Sequence, residues 1–218
     1  MRYYPILLDL KGKNCLVVGG GQVAWRKIKR LLDCGAKVKV VAREVLPELK
    51  EAIDKKNVIY LGKEYKSEFL KDTFLVIGAT DDEELNQKLS IEANNINILC
   101  NIVDQPEKCN FIVPSVVVRG DLIIAISTSG KSPALAKRLR LRLENEFGEE
   151  YAHFLNLLGK IRDIIKKKIP DQKQREIIFS KLVDSELLDY FKKKDLEAIK
   201  KYLKKIIPES DSLFGKDF

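Results

Sequence analysis

The sequence predicts an α/β fold in which a parallel sheet comes first, a β-hairpin follows, and helices complete the chain. Over the first hundred or so residues, short apolar runs of strand length alternate with segments of helical periodicity. Two β-rich runs then flank a glycine turn, and the remainder carries apolar side chains three and four residues apart. We therefore divide the chain into residues 1–110, 111–148 and 149–218.

The first part alternates strands with helices, which predicts parallel strands in one sheet with helices on both faces. Gly35 is the stop signal of the first helix, and Asp81 is predicted to cap the third, which ends near Ala93. The predicted strands are 14–18, 37–41, 58–61, 74–79 and 96–103. The first two predicted helices are 22–34 and 47–55.

The second part is predicted to be an antiparallel hairpin followed by a helix. Residues 111–118 and 122–127 form its strands, and Arg119, Gly120 and Asp121 form its turn. This triplet also spells a cell-adhesion motif, but a turn is the favoured meaning in a chain that shows no secretion signal.

Helices fill the rest of the predicted fold. Ser132 and Pro133 suit the N-cap and first position of a helix that runs to about residue 147. The helices beyond it are broken near Pro170 and Pro208, and residues 210–218 are predicted to fray.

Composition excludes several classes of protein. Apolar residues make up 45% of the 218, enough for a core, and the longest apolar runs are far shorter than the ~20 residues of a membrane span. The net charge of +8 favours an anionic ligand: nucleic acid, a polycarboxylate or a phosphorylated cofactor. The lysine clusters at 166–168 and 192–194 lie beside apolar stripes without interleaved aromatics, which indicates solvated helix faces rather than a nucleic-acid surface.

The cysteines at 15, 34, 100 and 109 have no C-x-x-C spacing, so they are predicted to be reduced thiols. His153 is the one histidine, so a multi-histidine metal site within one chain is excluded, and no dedicated metal site is predicted. No signal-peptide pattern is visible at the N-terminus, which predicts a cytoplasmic location.

The turn after the first strand fits the pattern G-x-G-x-x-G/A with Gly19, Gly21 and Ala24. Gly19 permits the tight turn, Gly21 lets backbone approach a pyrophosphate, and Ala24 lets the helix pack closely on the strand. The helix N-terminus at Gln22 and Val23 offers free N–H groups to phosphates. A Rossmann-like dinucleotide site is therefore predicted, in preference to a purely structural glycine turn.

Two positions near the predicted site leave alternatives open. An NAD site usually has Asp or Glu at the end of the second strand, but here Arg43 and Glu44 follow that strand. Either Glu44 bonds the ribose, or Arg43 meets a 2′-phosphate or stacks on the adenine. Asp104 follows the fifth strand, where a carboxylate is either a general base or a loop cap.

The loop at 127–132 is a second place for an anion, at the start of a helix that carries Arg138 and other basic residues. It is not a Walker A loop, because Ala125 stands where that motif needs a glycine. The basic residues either meet substrate carboxylates or form a solvated helix face.

Taken together, these motifs resemble the precorrin-2 dehydrogenase module of the siroheme synthase family. The resemblance rests on motifs that occur in order across residues 3–142: those at 4–10, 17–27, 79–86, 100–104, 111–115 and 127–133. Members oxidise precorrin-2, a tetrapyrrole with eight carboxylates, to sirohydrochlorin with NAD+. Some members then insert iron or cobalt, which leaves sirohydrochlorin ferrochelatase activity with ferrous iron as an open second activity here.

The resemblance also implies roles and a partner. Asp104 would be the catalytic carboxylate, for proton removal and for chelation where that occurs. Members are intertwined homodimers, so 1–110 would be the NAD-binding domain, 111–148 the dimerisation segment and 149–218 the C-terminal helical domain. Gly19, Gly21, Gln22, Val23, Arg43 and Glu44 would hold NAD. Substrate contacts are assigned to Asn101, Ser129, Lys131 and Arg138.

Two other classes compete with this interpretation. A non-catalytic NAD(H)-sensing domain would need the glycine turn but no base at Asp104. A nucleic-acid-binding protein would use the basic C-terminal part and show steep salt dependence. The dehydrogenase interpretation is favoured over both, and neither nucleic acid nor a membrane is expected as a partner.

Overall fold

The computed structural model describes residues 2–206. The chain divides into two compact units, Met1–Val113 and Pro114–Phe218, which are described separately below. The predicted helix break at Pro208 and the predicted frayed tail at 210–218 lie outside the described residues.

The first unit is built on a five-stranded, wholly parallel sheet with the strand order β3-β2-β1-β4-β5. This order confirms the predicted α/β class and its Rossmann-like sheet. The strands are β1 Asn14–Val18, β2 Lys37–Val41, β3 Val58–Gly62, β4 Leu75–Gly78 and β5 Leu99–Ile102. The helices are α1 Gln22–Asp33, α2 Pro47–Asp54 and α3 Glu83–Asn95, with short 3₁₀ turns at Ser67–Leu70 and Pro106–Lys108.

Both faces of this sheet are buried at its centre, where β1 and β4 are nearly fully buried, whereas the edge strand β3 is largely exposed. Side chains of β1 alternate between two clusters: Cys15 and Val17 join the core beneath α1 and α2, whereas Leu16 and Val18 join the core beneath α3. Trp25 packs against the first of these cores, in agreement with its predicted packing role.

Two predicted boundaries in this unit are wrong. Asp82, not Asp81, caps α3, because its Oδ1 accepts a hydrogen bond from the N–H of Leu85 at 3.0 Å. β5 begins at Leu99 rather than at residue 96, because Asn97 adopts a left-handed conformation (φ 58°) that ends the preceding helix. The apolar residues just before Leu99 therefore belong to this turn and not to the sheet.

The second unit begins with an antiparallel hairpin, β6 Ser115–Arg119 and β7 Leu122–Ile126, which turns at Gly120 (φ 56°). The predicted first strand, 111–118, is wrong at its start, since Phe111 packs against the core of the first unit. Pro114 lacks the N–H that a strand ladder uses, which agrees with a later start.

Within the described part of the chain, five helices follow: α4 Pro133–Glu146, α5 Glu150–Lys168, α6 Gln172–Val183, α7 Leu187–Lys193 and α8 Leu196–Ile206. Ser132 caps α4 as predicted, with its Oγ accepting from the N–H of Leu135 at 3.2 Å. The apolar stripes of α5 to α8 meet in one core around Leu157, Ile161 and Leu182. His153 and both lysine clusters are exposed, and among residues 2–206 no helix is long and apolar enough to cross a membrane.

Candidate dinucleotide site

A cleft of about 800 Å³ opens at the carboxyl ends of β1 to β4. From β1 the chain adds β2 and β3 on one side of the sheet, and then β4 and β5 on the other side. The order of strands therefore reverses at β1, and ligands of open α/β sheets bind at such a switch point. The structure brings all six predicted cofactor residues together in its lining, which includes Gly19, Gly21, Gln22, Val23, Arg43 and Glu44.

The glycines of the turn do different jobs. A Cβ on Gly19 would lie 2.1 Å from the carbonyl oxygen of Ala79, and one on Gly20 would lie 2.0 Å from that of Glu44. Gly19 also has a φ of 128°, a conformation open mainly to glycine. A Cβ on Gly21 would meet nothing within 4 Å, so the absent side chain there leaves room in the cleft.

The start of α1 is suited to a diphosphate. Gly21 is its N-cap, and within the described part of the chain no side chain caps the helix and no acidic residue occupies its first turn. The first N–H groups and the positive end of the helix dipole are therefore available to an anion. Ala24 is fully buried against the sheet, as the third position of the fingerprint requires. These residues fit the diphosphate of a dinucleotide.

The end of β2 carries the charged residues of the cleft. Val41 and Ala42 are buried, whereas Arg43 and Glu44 are exposed. The Nη2 of Arg43 lies 3.9 Å from the Oδ2 of Asp82, which reaches over from the end of β4. The part of the cleft beyond the end of β2 thus contains both signs of charge.

Some lining residues escaped sequence analysis. Lys63 and Tyr65 follow β3, and Lys88 lies on α3, at places that no motif marks. The hydroxyl of Tyr65 donates to Glu92 Oε2 at 2.7 Å, and burial, followed by that hydrogen bond, raises the pKa of Tyr65. Tyr65 therefore acts as a neutral wall of the cleft.

The turn after β4 is held by a buried amide. Asn86 is 2% exposed, and its Nδ2 donates to the carbonyl oxygen of Thr80 at 2.9 Å. The hydroxyl oxygen of Thr80 accepts from the N–H of Asp82 at 3.2 Å. These bonds fix the backbone that carries Asp82 to the edge of the cleft.

Asp104 lies outside this lining, on the loop after β5. It is exposed and has a φ of 61°, which aspartate tolerates better than most residues. The loop is organised around the thiol of Cys109, whose Sγ lies 3.2 Å from the N–H of Ile102 and 3.2 Å from the carbonyl oxygens of Ile102 and Gln105. Burial raises the pKa of Cys109, so this thiol is neutral.

Lys27, on α1, interacts electrostatically with two residues of this loop, Asp104 and Cys109. Burial lowers the pKa of Lys27, as do the nearby charges of Arg30 and Arg26, while Asp104 and Cys109 act in the opposite direction. Lys27 belongs to the motif at 17–27, which predicted no role for its side chain.

The predicted substrate residues occur in both units. Asn101 is 8% exposed, and its Nδ2 donates to the carbonyl oxygen of Phe111 at 3.1 Å, so this amide already has a structural partner. Ser129 (φ 53°) and Lys131 are exposed in the loop before α4, and Arg138 is exposed on that helix. Their contacts with a substrate stay predictions.

All four cysteines are free thiols. In the stretch from residue 2 to residue 206, no group of three or more His, Cys, Asp or Glu side chains is arranged to hold a metal ion.

The parallel sheet, the glycine turn and the open helix N-terminus define a dinucleotide-binding protein of the Rossmann type. Comparison with known families refines this class. A family described as putative NAD(P)-binding matches residues 6–115. One described as sirohaem biosynthesis protein central matches 119–146, and the sirohaem synthase dimerisation region matches 150–207.

The solved structure of SirC, a precorrin-2 dehydrogenase, is similar over 94% of this chain and 98% of its own, with 31% identity and a TM-score of 0.75. The siroheme synthase of Ruthia magnifica is 38% identical over 83% of this chain and 38% of its own length. That of Buchnera aphidicola is 37% identical over 99% of this chain and 46% of its own length. This chain belongs to the siroheme synthase and precorrin-2 dehydrogenase family.

These comparisons confirm the resemblance stated from the sequence, and they bear out the prediction of a nicotinamide dinucleotide as cofactor. The chain spans less than half the length of these two siroheme synthases, at 38% and 46%.

Proposed function

We propose that this chain oxidises precorrin-2 to sirohydrochlorin with NAD+ in siroheme biosynthesis. The observation that carries the proposal is its similarity over 98% of the length of SirC, a precorrin-2 dehydrogenase. The cleft lined by the glycine turn supports it, because hydride transfer needs a cofactor held rigidly beside the substrate.

Each part of the cleft has a task in this proposal. The backbone N–H groups of Gln22 and Val23 bind the pyrophosphate, and Gly21 leaves room for it. Arg43 and Glu44 lie at the adenosine ribose. When bound, NAD+ supplies the acceptor for the hydride that leaves the macrocycle.

Asp104 is proposed to be the catalytic base. Oxidation of the macrocycle releases a proton along with the hydride, and an exposed carboxylate can accept it. The neutral thiol of Cys109 holds the loop that carries this carboxylate, which keeps its position defined. Preorganisation of this kind is what general-base catalysis requires.

The substrate side of the proposal rests on charge. Precorrin-2 carries eight carboxylates, and the chain has a net charge of +8. We assign contacts with those carboxylates to Asn101, Ser129, Lys131 and Arg138. Iron insertion is the second proposed activity, in which ferrous iron displaces two pyrrole N–H protons and Asp104 accepts them one after the other and passes them to water.

We further propose a homodimer that works in the cytoplasm. The match of residues 150–207 to a dimerisation region supports the assembly. Four free thiols support a reducing compartment. Following the resemblance, we assign residues 111–148 and 149–218 to dimerisation and to the helical domain.

The test is anaerobic incubation of the purified chain with precorrin-2, with and without NAD+, while sirohydrochlorin and NADH are followed together. We expect both products in equal amounts, and only when NAD+ is present. Measurable binding of NAD+ without turnover would contradict the proposal. Ferrous iron added after oxidation then tests the second activity through the absorbance of siroheme.

A further inference from the structure

We propose that Asp82 is a specificity-determining residue of the dinucleotide site, which it makes selective for NAD+ over NADP+. This inference rests on the dinucleotide site of the proposed function, and it goes further by giving a role to a residue outside the glycine fingerprint. It assigns the selection to a carboxylate at the end of β4 rather than at the end of β2.

Arg43, which follows β2, would by itself favour NADP+. Dinucleotide sites specific for NAD have an acidic residue there that bonds the ribose 2′-hydroxyl, whereas an arginine nearby accommodates a 2′-phosphate. Here β2 ends at buried Val41, buried Ala42 follows, and the first charged side chain beyond the strand is that of Arg43. Considered alone, Arg43 predicts a site that binds NADP+.

Asp82 changes this expectation through its position. β1 lies between β2 and β4, so a contact between Arg43 and Asp82 spans the strand end that carries the glycine turn. The Oδ2 of Asp82 lies 3.9 Å from the Nη2 of Arg43, and both residues line the cleft. The cation that would meet a 2′-phosphate therefore already has a carboxylate beside it.

The carboxylate is anchored, whereas the guanidinium is not. The Oδ1 of Asp82 accepts from the N–H of Leu85 at 3.0 Å, and the N–H of Asp82 donates to Thr80 Oγ1 at 3.2 Å. The side chain of Arg43 is 80% exposed. A 2′-phosphate would have to compete with a fixed negative charge for Arg43 and would be repelled by it, while a 2′-hydroxyl would meet no such penalty.

Glu44 is the rival for this role, because it also lines the cleft and directly follows Arg43. Its backbone carbonyl lies against Gly20, and its side chain is exposed. Within residues 2–206, Glu44 forms no ion pair with Arg43 and its side chain caps no helix, so we expect it to contribute less to the discrimination between NAD+ and NADP+. The two carboxylates can be separated by neutralising one at a time.

The test compares dissociation constants for NAD+ and NADP+ by calorimetric titration of the full chain and of Asp82→Asn, Glu44→Gln, Arg43→Gln and Asp82→Asn/Arg43→Gln. Asparagine caps helices as well as aspartate does, so Asp82→Asn removes charge while keeping the cap. We expect the unmodified chain to bind NAD+ more tightly. In Asp82→Asn, NADP+ should bind about tenfold more tightly, with NAD+ affinity within about threefold, and the gain should shrink at high salt.

The double variant provides the second check. Asp82→Asn frees the guanidinium of Arg43 to bind a 2′-phosphate, and Arg43→Gln removes that guanidinium. In the double variant, Asp82→Asn should therefore increase NADP+ affinity much less than it does when Arg43 is present. An unchanged ratio of the two affinities in Asp82→Asn, or an equal shift in Glu44→Gln, would overturn the inference. Because binding is measured, a chain that binds NAD+ but leaves precorrin-2 unoxidised would contradict the proposed function without touching this result.

Discussion

Asp104 combines an exposed carboxylate with a left-handed backbone, φ 61°, on a loop anchored by a buried thiol. Asparagine tolerates the same backbone conformation, so Asp104→Asn removes only the charge and the basicity. We expect precorrin-2 oxidation to fall by about 10²-fold or more, while the dissociation constant for NAD+ changes by less than about threefold. Steady-state rates and calorimetric titration measure the two quantities.

Glu107→Gln is the matched control for that variant, because Glu107 is an exposed carboxylate on the same loop. It should leave the oxidation rate within about twofold. If Asp104→Asn instead lost NAD+ binding, Asp104 would be a cofactor ligand and not a base.

Gly21→Asp is expected to abolish NAD+ binding. A Cβ at this position meets nothing within 4 Å, so the chain should fold, but the new carboxylate would fill and repel the pyrophosphate site. Gly159→Asp places the same charge on an open helical position of the second unit and should bind NAD+ normally. Normal affinity in Gly21→Asp, measured by titration, would disprove the fingerprint interpretation.

Individual residues of the site were only partly predictable. Gly19, Gly21 and Ala24 were predictable from their spacing together with the predicted strand before them and the predicted helix after them, because the fingerprint is local. The ion pair between Arg43 and Asp82 was not predictable, since it joins the ends of two strands that are not adjacent in the sheet. Neighbouring aspartates suit a helix cap equally well by composition, so the sequence does not decide between Asp81 and Asp82.

Among the structural elements, the loop after β5 depends on one side chain. Cys109→Ala would leave the N–H of Ile102 without the sulfur that lies 3.2 Å away, and an unsatisfied buried N–H costs about 1–3 kcal/mol. We expect the free energy of unfolding of the first unit to fall by that amount. Urea unfolding followed by the fluorescence of Trp25, the chain's one tryptophan, would measure it.

Serine and an exposed cysteine supply the comparisons for this experiment. Cys109→Ser keeps a donor and an acceptor and should lose less stability than Cys109→Ala. Cys34→Ala should change stability by less than about 0.5 kcal/mol, because Cys34 is exposed. Equal losses in the alanine and serine variants would show that the sulfur contacts do not support the loop.

Strands and helices were predictable where the spacing of apolar residues and the residues that start or stop an element indicated the same structure. The five parallel strands follow from apolar runs, and α4 follows from Ser132 and Pro133. The break between α7 and α8 was not predicted, because Lys194 takes the left-handed position (φ 56°) that glycine usually marks. The 3₁₀ turn Pro106–Lys108 was also missed, since so short an element carries no period.

Over the whole molecule, alkaline pH is expected to destabilise the first unit through its buried thiols. Burial raises the pKa of Cys15 to about 11 and that of Cys100 to about 12, whereas an exposed thiol ionises near ~8.5. Between pH 8 and pH 10 the unfolded chain releases these protons and the folded chain keeps them. The free energy of unfolding therefore falls with rising pH, by roughly 1–2 kcal/mol for each thiol at pH 10.

The double variant Cys15→Ala/Cys100→Ala isolates this contribution. It should start from a lower stability at pH 8, because both residues are fully buried, but lose less on going to pH 10. Urea unfolding under reducing conditions at the two pH values, followed through Trp25, gives both slopes. If the free energy of unfolding fell equally between pH 8 and pH 10 in both proteins, these thiols would not be the cause of the alkaline destabilisation.

The division of the chain into 1–110, 111–148 and 149–218 stays a prediction. The structure has two compact units, Met1–Val113 and Pro114–Phe218. The hairpin and the helices that follow it belong to the same unit, which depends on packing between distant segments. No local pattern in the sequence encodes that packing.

The three glycines of the turn have a consequence for sequence variation. In a library randomised at positions 19–21 and sorted only for folded protein, Gly19 and Gly20 should be recovered almost alone, since neighbouring backbone leaves no space for a Cβ. Position 21 should accept many residues in that sort, and should return to glycine once clones are sorted for capture on an immobilised dinucleotide. The amino acids tolerated at these three adjacent positions would thus separate the requirements of this turn for folding from its requirements for dinucleotide binding.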